Sequence, residues 1–255
     1  MVYLPGIDGS GELLLGTAAR IEERFRLLRL RYRLSANAEH RTYSHLAAST
    51  IETVSLRGVE RALYVAESFG GAVGLRAAID HPSAVAGLAL VNTFPHFRAR
   101  ARLACSRLGT RLVPAWMMSL GRRMLAPGLL FGGPAERAAI AEFLASGGGS
   151  ERRPRGGWAP GEGYAARLRM IQALDMRSEL PRVRQPVALF ASERDRIVDS
   201  VRQAREMERL LPAAELEILE GRGHVVLPLA DIDWPARLLS LAERVERTEA
   251  GLTGA

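Results

Sequence analysis

A serine lies between a strand-like and a helix-like segment of the sequence. The apolar run from Leu63 to Ala66 is typical of a buried strand, and Ser68 is followed after one residue by Gly70 and Gly71. The two glycines remove side chains that a tight strand-to-helix turn cannot accommodate. Such a turn presents the Ser68 hydroxyl at the carboxyl end of the strand. Because a serine hydroxyl is a weak nucleophile by itself, nucleophilic chemistry here requires a base and an acid elsewhere in the chain.

An aspartate and a histidine later in the chain are candidates for the acid and the base. Residues 186–190 form a second buried-strand pattern, and Asp195 follows them at a turn. Residues 216–220 alternate apolar and acidic side chains, and this last predicted strand leads through a glycine-rich loop to His224. Both side chains therefore come after strand ends, as Ser68 does.

Other residues of the same types have weaker positions. The remaining histidines do not follow the last predicted strand; they are His40, His45, His81 and His96. His81 precedes a proline, which explains it as a helix end, whereas a substrate-facing role for His96 stays open. Glu193 leaves its strand too early to replace Asp195, and Asp199 is better explained as the N-cap of a following helix.

The order Ser68, Asp195, His224 is the order found in α/β hydrolases and differs from that in chymotrypsin-like and subtilisin-like proteases. The chain resembles this family from its first residues to about Leu239, and the serine turn resembles the family's nucleophile elbow. The usual elbow pattern is G-x-S-x-G, and Ala66 stands in place of the first glycine. We expect the additional methyl group to be tolerated. The resemblance implies a serine nucleophile, a histidine base and an aspartate that orients the histidine.

The opening segment from Leu4 to Gly11 adds a second family motif. In relatives, the loop after this early strand contributes a backbone N–H to the oxyanion hole. The resemblance therefore assigns that role to Ile7, with the N–H of Phe69 as the second donor. Asp8 is the alternative donor if the loop register differs.

Predicted strands and helices alternate with short connections, which indicates an α/β fold with a parallel sheet covered on both faces. We expect an α/β-hydrolase fold with a sheet of about six strands, flanked by helices, and a helical cap insertion. The predicted strands are 1–4, 27–33, 61–67, 85–91, 186–191 and 215–220. The predicted helices are 14–24, 42–57, 69–80, 199–211 and 234–248.

The alternation stops after residue 92 and resumes near residue 181, which predicts two parts. Residues 1–92 and 181–255 would form the hydrolase core domain, and residues 93–180 would form a helical cap, or lid. In relatives, an insertion at this point folds over the serine and shapes the substrate pocket. The predicted substrate-binding side chains are Trp116, Met117, Met118 and Phe131. The same apolar residues could instead be ordinary core.

Counted against the family, the chain begins at the third strand of the full sheet. The strand at 27–33 would then lie at an edge, where its alternating arginines discourage pairing with other chains. A start site assigned downstream of the true one would look the same.

Composition argues against several classes of protein, among them nucleic-acid-binding and disulfide-linked proteins. The 35 basic residues are all arginine and the formal net charge is +7, but the arginines are interleaved with glutamates as on solvated helix faces, which disfavours nucleic-acid binding. A single cysteine excludes an intrachain disulfide. No transmembrane segment, signal peptide, metal-ligand spacing or cofactor motif is evident, so we expect a cytoplasmic protein without metal or cofactor. The sequence does not indicate an oligomeric state.

These features predict a serine hydrolase that cleaves a small-molecule carboxylic ester or thioester through an acyl-enzyme. One alternative is an acyltransferase with the same triad and an alcohol or amine acceptor, because the opening motif also resembles plastid esterase/acyltransferase relatives. Another is a non-catalytic ligand-binding protein on the same fold. Turnover of a simple ester separates the last alternative from the first two.

Overall fold

A six-stranded parallel sheet forms the centre of the structure, a computed structural model that describes residues 1–32, 42–97, 133, 136–138 and 162–253. The strands are β1 (Val2–Leu4), β2 (Leu28–Arg29), β3 (Ala62–Glu67), β4 (Val85–Val91), β5 (Val187–Ser192) and β6 (Ala214–Leu219). The helices are α1 (Gly16–Glu22), α2 (Tyr43–Ser55), α3 (Phe69–Asp80), α4 (Glu162–Ala173), α5 (Ser200–Leu210) and α6 (Trp234–Thr253). Short 3-10 turns lie at Pro82–Ala84 and Leu180–Arg182.

The predicted α/β-hydrolase sheet is confirmed, with small differences in length. All six strands are present, and β2 lies at the edge of the sheet as expected. However, β2 has two residues rather than the seven predicted, because only Leu28 and Arg29 pair with β1. The arginine-alternating pattern therefore extends beyond the paired segment. Helix α6 is longer than predicted and continues to Thr253.

Alternate residues of the strands point into two separate cores. On one face, Val2 and Leu4 pack with residues of α2, α3 and α5. On the other face, Tyr3 and Val65 pack with residues of α1 and α6. Both faces of a parallel sheet are buried in this way because the crossover helices must lie on them. Within the described ranges, no helix combines the length and hydrophobicity that crossing a bilayer requires.

The strand order β2-β1-β3-β4-β5-β6 creates a crevice at the carboxyl ends of β1 and β3. From β1 the chain first moves to one side to form β2, and then returns to form β3 on the other side. The connections leaving β1 and β3 therefore diverge. In open α/β sheets, ligands bind at this topological switch point. The loop after β1 and Ser68 after β3 both lie there.

Candidate active site

Ser68 occupies a sharp turn between β3 and α3. Its backbone has φ 50° and ψ −116°, in the positive-φ region that non-glycine residues rarely adopt. Two hydrogen bonds hold it: Ser68 N donates to Val91 O at 2.9 Å, and Thr93 Oγ1 donates to Ser68 O at 2.6 Å. A strained backbone persists only where its surroundings enforce it. The end of β4 supplies that enforcement here.

The two glycines after Ser68 are required by close contacts on either side of α3. A Cβ on Gly70 would lie 2.5 Å from the carbonyl oxygens of Leu4 and Pro5. A Cβ on Gly71 would lie 2.1 Å from Thr93 Oγ1. Both distances are far below van der Waals contact, so any side chain would push α3 away from the sheet. The glycine pattern noticed in the sequence thus has a steric cause.

Ala66 is accommodated at the position where the family pattern has glycine. It is fully buried in β3 and faces Gly74 of α3, where an added Cβ would lie 3.4 Å from the Ala66 methyl group. Because Gly74 has no side chain, the helix still packs closely over the strand. The expected tolerance of this methyl group agrees with the geometry.

The candidate nucleophile, base and acid lie in one chain of hydrogen bonds. His224 Nε2 is 3.0 Å from Ser68 Oγ, and His224 Nδ1 is 2.8 Å from Asp195 Oδ2. All three residues are buried. The three positions are separated by up to 156 residues of sequence, and the carboxyl ends of β3, β5 and β6 bring them together. This is the arrangement that the sequence analysis predicted for a serine nucleophile.

The turn after β5 holds the Asp195 carboxylate with several donors. Asp195 Oδ1 accepts hydrogen bonds from Ile197 N at 2.8 Å and Val198 N at 3.3 Å, and Ser200 Oγ donates to Oδ2. Asp199 does precede α5, but its side chain makes no capping hydrogen bond and its φ is 54°. Asp199 therefore lies at the expected N-cap position, but without a side-chain cap. The turn instead directs its donors towards Asp195.

Asn92, at the end of β4, joins the acid and histidine loops. Its Nδ2 donates to Ser192 Oγ at 2.9 Å and to His224 O at 2.8 Å, and its Oδ1 accepts from Ser192 N at 2.8 Å. Glu136 Oε1 accepts from Gly223 N at 2.9 Å in the same region. Neither residue was predicted from the sequence. The only signal for Asn92 was a polar residue directly after a buried strand.

Charges around His224 favour its protonated form. Burial by itself lowers the pKa of His224, but the Asp195 carboxylate outweighs this effect, with a smaller contribution from Glu67, and the net pKa is raised. Burial also opposes ionisation of Asp195, yet His224 and the surrounding hydrogen bonds hold its pKa below the ordinary value. The pair is thus organised to stabilise an imidazolium ion beside an ionised carboxylate, which is what a general base needs as it takes a proton.

A second buried carboxylate, Glu67, lies next to the candidate nucleophile in the chain. It is 2% exposed and accepts a hydrogen bond from Tyr3 Oη at 2.8 Å. Burial and the nearby Asp8 carboxylate raise the pKa of Glu67 to about 7, although Tyr3 and His224 act in the opposite direction. Glu67 was not predicted from the sequence. Its hydrogen bond to Tyr3 forms because β1 and β3 lie side by side in the sheet.

Replacing Glu67 with glutamine is expected to shift the acid limb of the pH profile of kcat/KM to lower pH. Above its pKa of about 7, Glu67 is ionised and is one of the charges that raise the pKa of His224, so its replacement lowers the pKa of the base over that range. Ester turnover measured between pH 5 and 9 tests this. Glu193→Gln, at an exposed carboxylate, is the control and should keep the wild-type profile. An unchanged acid limb in Glu67→Gln would contradict the coupling.

The two predicted oxyanion donors lie near Ser68. The N–H of Phe69 is at the first position of α3, where no intrahelical acceptor exists. The loop containing Ile7 approaches from β1: a Cβ on the adjacent Gly6 would lie 3.8 Å from Ser68 Cβ. In the described part of the chain, neither N–H donates to a protein acceptor. The phenyl ring of Phe69 packs against the rings of Tyr32 and Tyr43, which steadies the start of the helix.

The other predicted site residues either lie outside the described residues or lie away from the Ser68–His224–Asp195 hydrogen bonds. The expected substrate-binding residues Trp116, Met117, Met118 and Phe131, and also His40, lie outside the described residues. His96 is buried in an isolated bridge with Asp175, and His45 and His81 lie at helix ends away from the hydrogen-bonded chain. Among the residues with described positions, no three His, Cys, Asp or Glu side chains are grouped to hold a metal ion.

Comparisons with known proteins agree with this architecture. The protein named "Putative carbamate hydrolase RutD" in Escherichia coli O157:H7 (strain EC4115 / EHEC) is 26% identical over 266 aligned residues, covering 99% of this chain and 94% of RutD. The enol-lactonase from Burkholderia xenovorans LB400 superimposes with a TM-score of 0.72 at 19% identity, covering 99% of this chain and 90% of that one. The esterase from Exiguobacterium antarcticum gives a TM-score of 0.70 at 16% identity, covering 97% and 91%.

The structural likenesses, at such low identity, show the fold alone. The family assignment rests on a sequence profile, described as alpha/beta hydrolase fold, that matches residues 45–231. This match spans most of the chain and includes Ser68, Asp195 and His224. The chain belongs to the α/β hydrolase fold family.

Proposed function

We propose that this protein hydrolyses a carboxylic ester or thioester through a covalent acyl-enzyme. The observation that supports this most strongly is the buried chain of hydrogen bonds from Ser68 through His224 to Asp195. Its members follow three different strands at the edge of the sheet where the family binds its substrates. A structural serine would not need a strained turn, a base at 3.0 Å and a buried carboxylate behind that base.

In this mechanism, His224 Nε2 takes the proton of Ser68 Oγ as the oxygen attacks the substrate carbonyl. Asp195 keeps the Nδ1 proton in place and stabilises the imidazolium ion. The imidazolium then gives its proton to the leaving alcohol or thiol, and the acyl group stays on Ser68. A water molecule, activated by His224 in the same way, attacks the acyl-enzyme and releases the acid. Every step uses His224 Nε2 to move the proton, and the Asp195 hydrogen bond to Nδ1 persists throughout.

The N–H groups of Ile7 and Phe69 would stabilise the negative oxygen of the tetrahedral intermediate. Removing one such donor in a related serine enzyme costs about 3 kcal/mol of transition-state stabilisation. The Phe69 N–H adds the positive end of the α3 dipole to this effect. Both donors belong to the backbone, so they are placed by the fold and need no side-chain rearrangement.

We also propose that residues 93–180 act as a cap over this site, with residues 1–92 and 181–255 as the core domain. Support comes from α4, at the end of the proposed cap. Its residues Leu168 and Ile171 are buried in the same core cluster as Phe69. The apolar cap residues Trp116, Met117, Met118 and Phe131 are proposed to line the acyl pocket, because flexible methionines suit acyl chains of varied shape.

Activity on p-nitrophenyl esters is expected to increase with acyl length from acetate until the pocket is full. Each buried methylene contributes at most about 0.8 kcal/mol, so two further carbons should raise kcat/KM roughly tenfold. Replacing Met117 and Met118 together with alanine should move the optimum to longer chains. A profile that is flat from acetate upward, and unchanged in the double variant, would show that these residues do not form the acyl site.

A carbamate is a second substrate class, favoured by the similarity to RutD along nearly the whole chain. The same serine can attack a carbamate carbonyl, and the carbamoyl-enzyme would then be hydrolysed. A panel that contains p-nitrophenyl esters, an acyl-CoA thioester and a p-nitrophenyl carbamate ranks the classes by kcat/KM. Addition of alcohol or amine acceptors to the same assay measures acyl transfer against hydrolysis.

A further inference from the structure

A buried arginine from α4 contacts the loop that carries the proposed oxyanion donor. Arg167 is 5% exposed, and its Nε donates a hydrogen bond to the backbone carbonyl of Ile7 at 2.9 Å. The two residues are 160 positions apart in the chain. Removing a guanidinium group from water is costly, so a buried arginine normally has specific acceptors. One acceptor here is a backbone carbonyl beside the proposed active site.

The contacted carbonyl belongs to the central peptide of a tight turn. Gly9 N donates to Gly6 O at 3.1 Å, which closes a four-residue turn with Ile7 and Asp8 in the middle. The Gly6 carbonyl and the Ile7 N–H lie in one planar trans peptide and point in opposite directions. The turn hydrogen bond therefore directs the Ile7 N–H away from the turn.

The central Ile7–Asp8 peptide is not oriented by that hydrogen bond. Type I and type II turns have the same closing bond and differ by a flip of their central peptide. Such a flip exchanges the directions of the Ile7 carbonyl and the Asp8 N–H and changes ψ at Ile7. The Asp8 side chain hydrogen-bonds Ser10 N at 2.9 Å and does not hold this carbonyl. The Arg167 hydrogen bond holds it directly.

We propose that Arg167 is a positioning residue that locks the Ile7–Asp8 peptide in one orientation and thereby keeps the oxyanion loop ready for the transition state. This inference rests on the proposed function, because it assigns Arg167 a role through the loop that carries the Ile7 donor. It also links two parts of the chain, since the arginine belongs to the helix at the end of the proposed cap. A carbonyl turned towards the substrate oxygen would repel it, so the orientation of this peptide affects the reaction directly.

The neighbourhood of Arg167 fits a fixed side chain. A Cβ on Gly9 would lie 3.5 Å from Arg167 Nη1 and 3.3 Å from Tyr32 Cβ, so the guanidinium group lies against the turn. Tyr32 N donates to Gly9 O at 2.9 Å and holds the far side of the turn. Ile7 is thus surrounded by Arg167, the Gly6–Gly9 turn and Tyr32.

Arg167→Met tests the proposal, because methionine fills much of the volume of the arginine stem without its N–H donors. We expect kcat for the best p-nitrophenyl ester to fall on the order of tenfold, less than the loss of an oxyanion donor itself, with KM little changed. Inhibition by a trifluoromethyl ketone, whose adduct with Ser68 carries an oxyanion, should weaken by the same factor. Arg169→Met, at an exposed arginine two residues away on α4, is the matched control and should keep wild-type values.

Arg167→Lys separates charge from geometry and covers the case in which Arg167→Met does not fold. Lysine keeps the positive charge but has a methylene where Arg167 Nε donates, so we expect a smaller loss of kcat and of ketone affinity. Wild-type kcat and ketone affinity in either folded variant, or a rise in KM alone, would overturn the proposal. Loss of ester turnover in Ser68→Ala, measured in parallel, tests the proposed function separately.

Discussion

Replacing Ser68 with alanine is expected to reduce ester turnover by a factor on the order of 10⁶, because triad members act as a unit and loss of the nucleophile removes nearly all of their contribution. The fold should survive. Among the described residues, the Ser68 side chain contacts His224 Nε2. The strained turn is held through the Ser68 backbone, which donates to Val91 O and accepts from Thr93 Oγ1, and alanine retains both bonds. Turnover of a p-nitrophenyl ester and far-UV circular dichroism measure the two parts of this prediction.

A fluorophosphonate probe gives an independent reading of the same residue. It should label the wild-type protein at Ser68 and fail to label Ser68→Ala. Ser44→Ala, at an exposed serine of α2, is the matched control and should keep both labelling and turnover. Labelling at another serine, or substantial activity left in Ser68→Ala, would contradict the assignment of the nucleophile.

Asp195→Asn is expected to lower kcat by a factor on the order of 10⁴, as the equivalent change does in a serine protease. Asparagine nearly preserves the shape of the side chain but removes the charge that raises the pKa of His224. Its amide group can also present a donor to Nδ1, which favours the wrong tautomer of the imidazole. The pH dependence of the remaining activity should show a base with a lower pKa than in the wild type.

Glu193→Gln is the matched control for the acid, because Glu193 also follows β5 and is a carboxylate. Its side chain is exposed and accepts a hydrogen bond from Gly221 N at 2.8 Å, away from His224 Nδ1. Its loss should cost far less than the loss of the Asp195 charge. If Glu193→Gln were the more damaging change, the acid would have been assigned to the wrong side of the turn.

The features that follow from local rules could be predicted from the sequence. The apolar run at 63–66 and the glycines at 70 and 71 specify a buried strand and a tight turn, because both depend on residues close together in the chain. The order of Ser68, Asp195 and His224 then selects the fold, since each follows its own strand and the carboxyl ends of parallel strands meet at one edge of the sheet.

Some elements differ from the local prediction because tertiary contacts compete with local sequence preferences. Asp199 lies at the expected N-cap position, but its backbone is left-handed and its side chain makes no capping hydrogen bond. The segment at 27–33 has a strand pattern, but of its described residues only Leu28 and Arg29 pair with a neighbouring strand. In both cases the local sequence favours the predicted element, and the neighbouring segments of the fold decided whether it forms.

Only the tertiary structure decided which polar residues surround the triad. Asn92 contacts Ser192 at the end of β5, 100 positions later, and His224, 132 positions later. Tyr3 donates to Glu67 from the neighbouring strand, and Arg167 donates to Ile7 from a distant helix. Such contacts leave no periodic signal, because a hydrogen bond between distant segments requires one suitable residue at each end and no pattern between them. The sequence by itself therefore determined the sheet and the candidate nucleophile, base and acid, whereas the polar residues that surround them became visible only when the sheet was assembled.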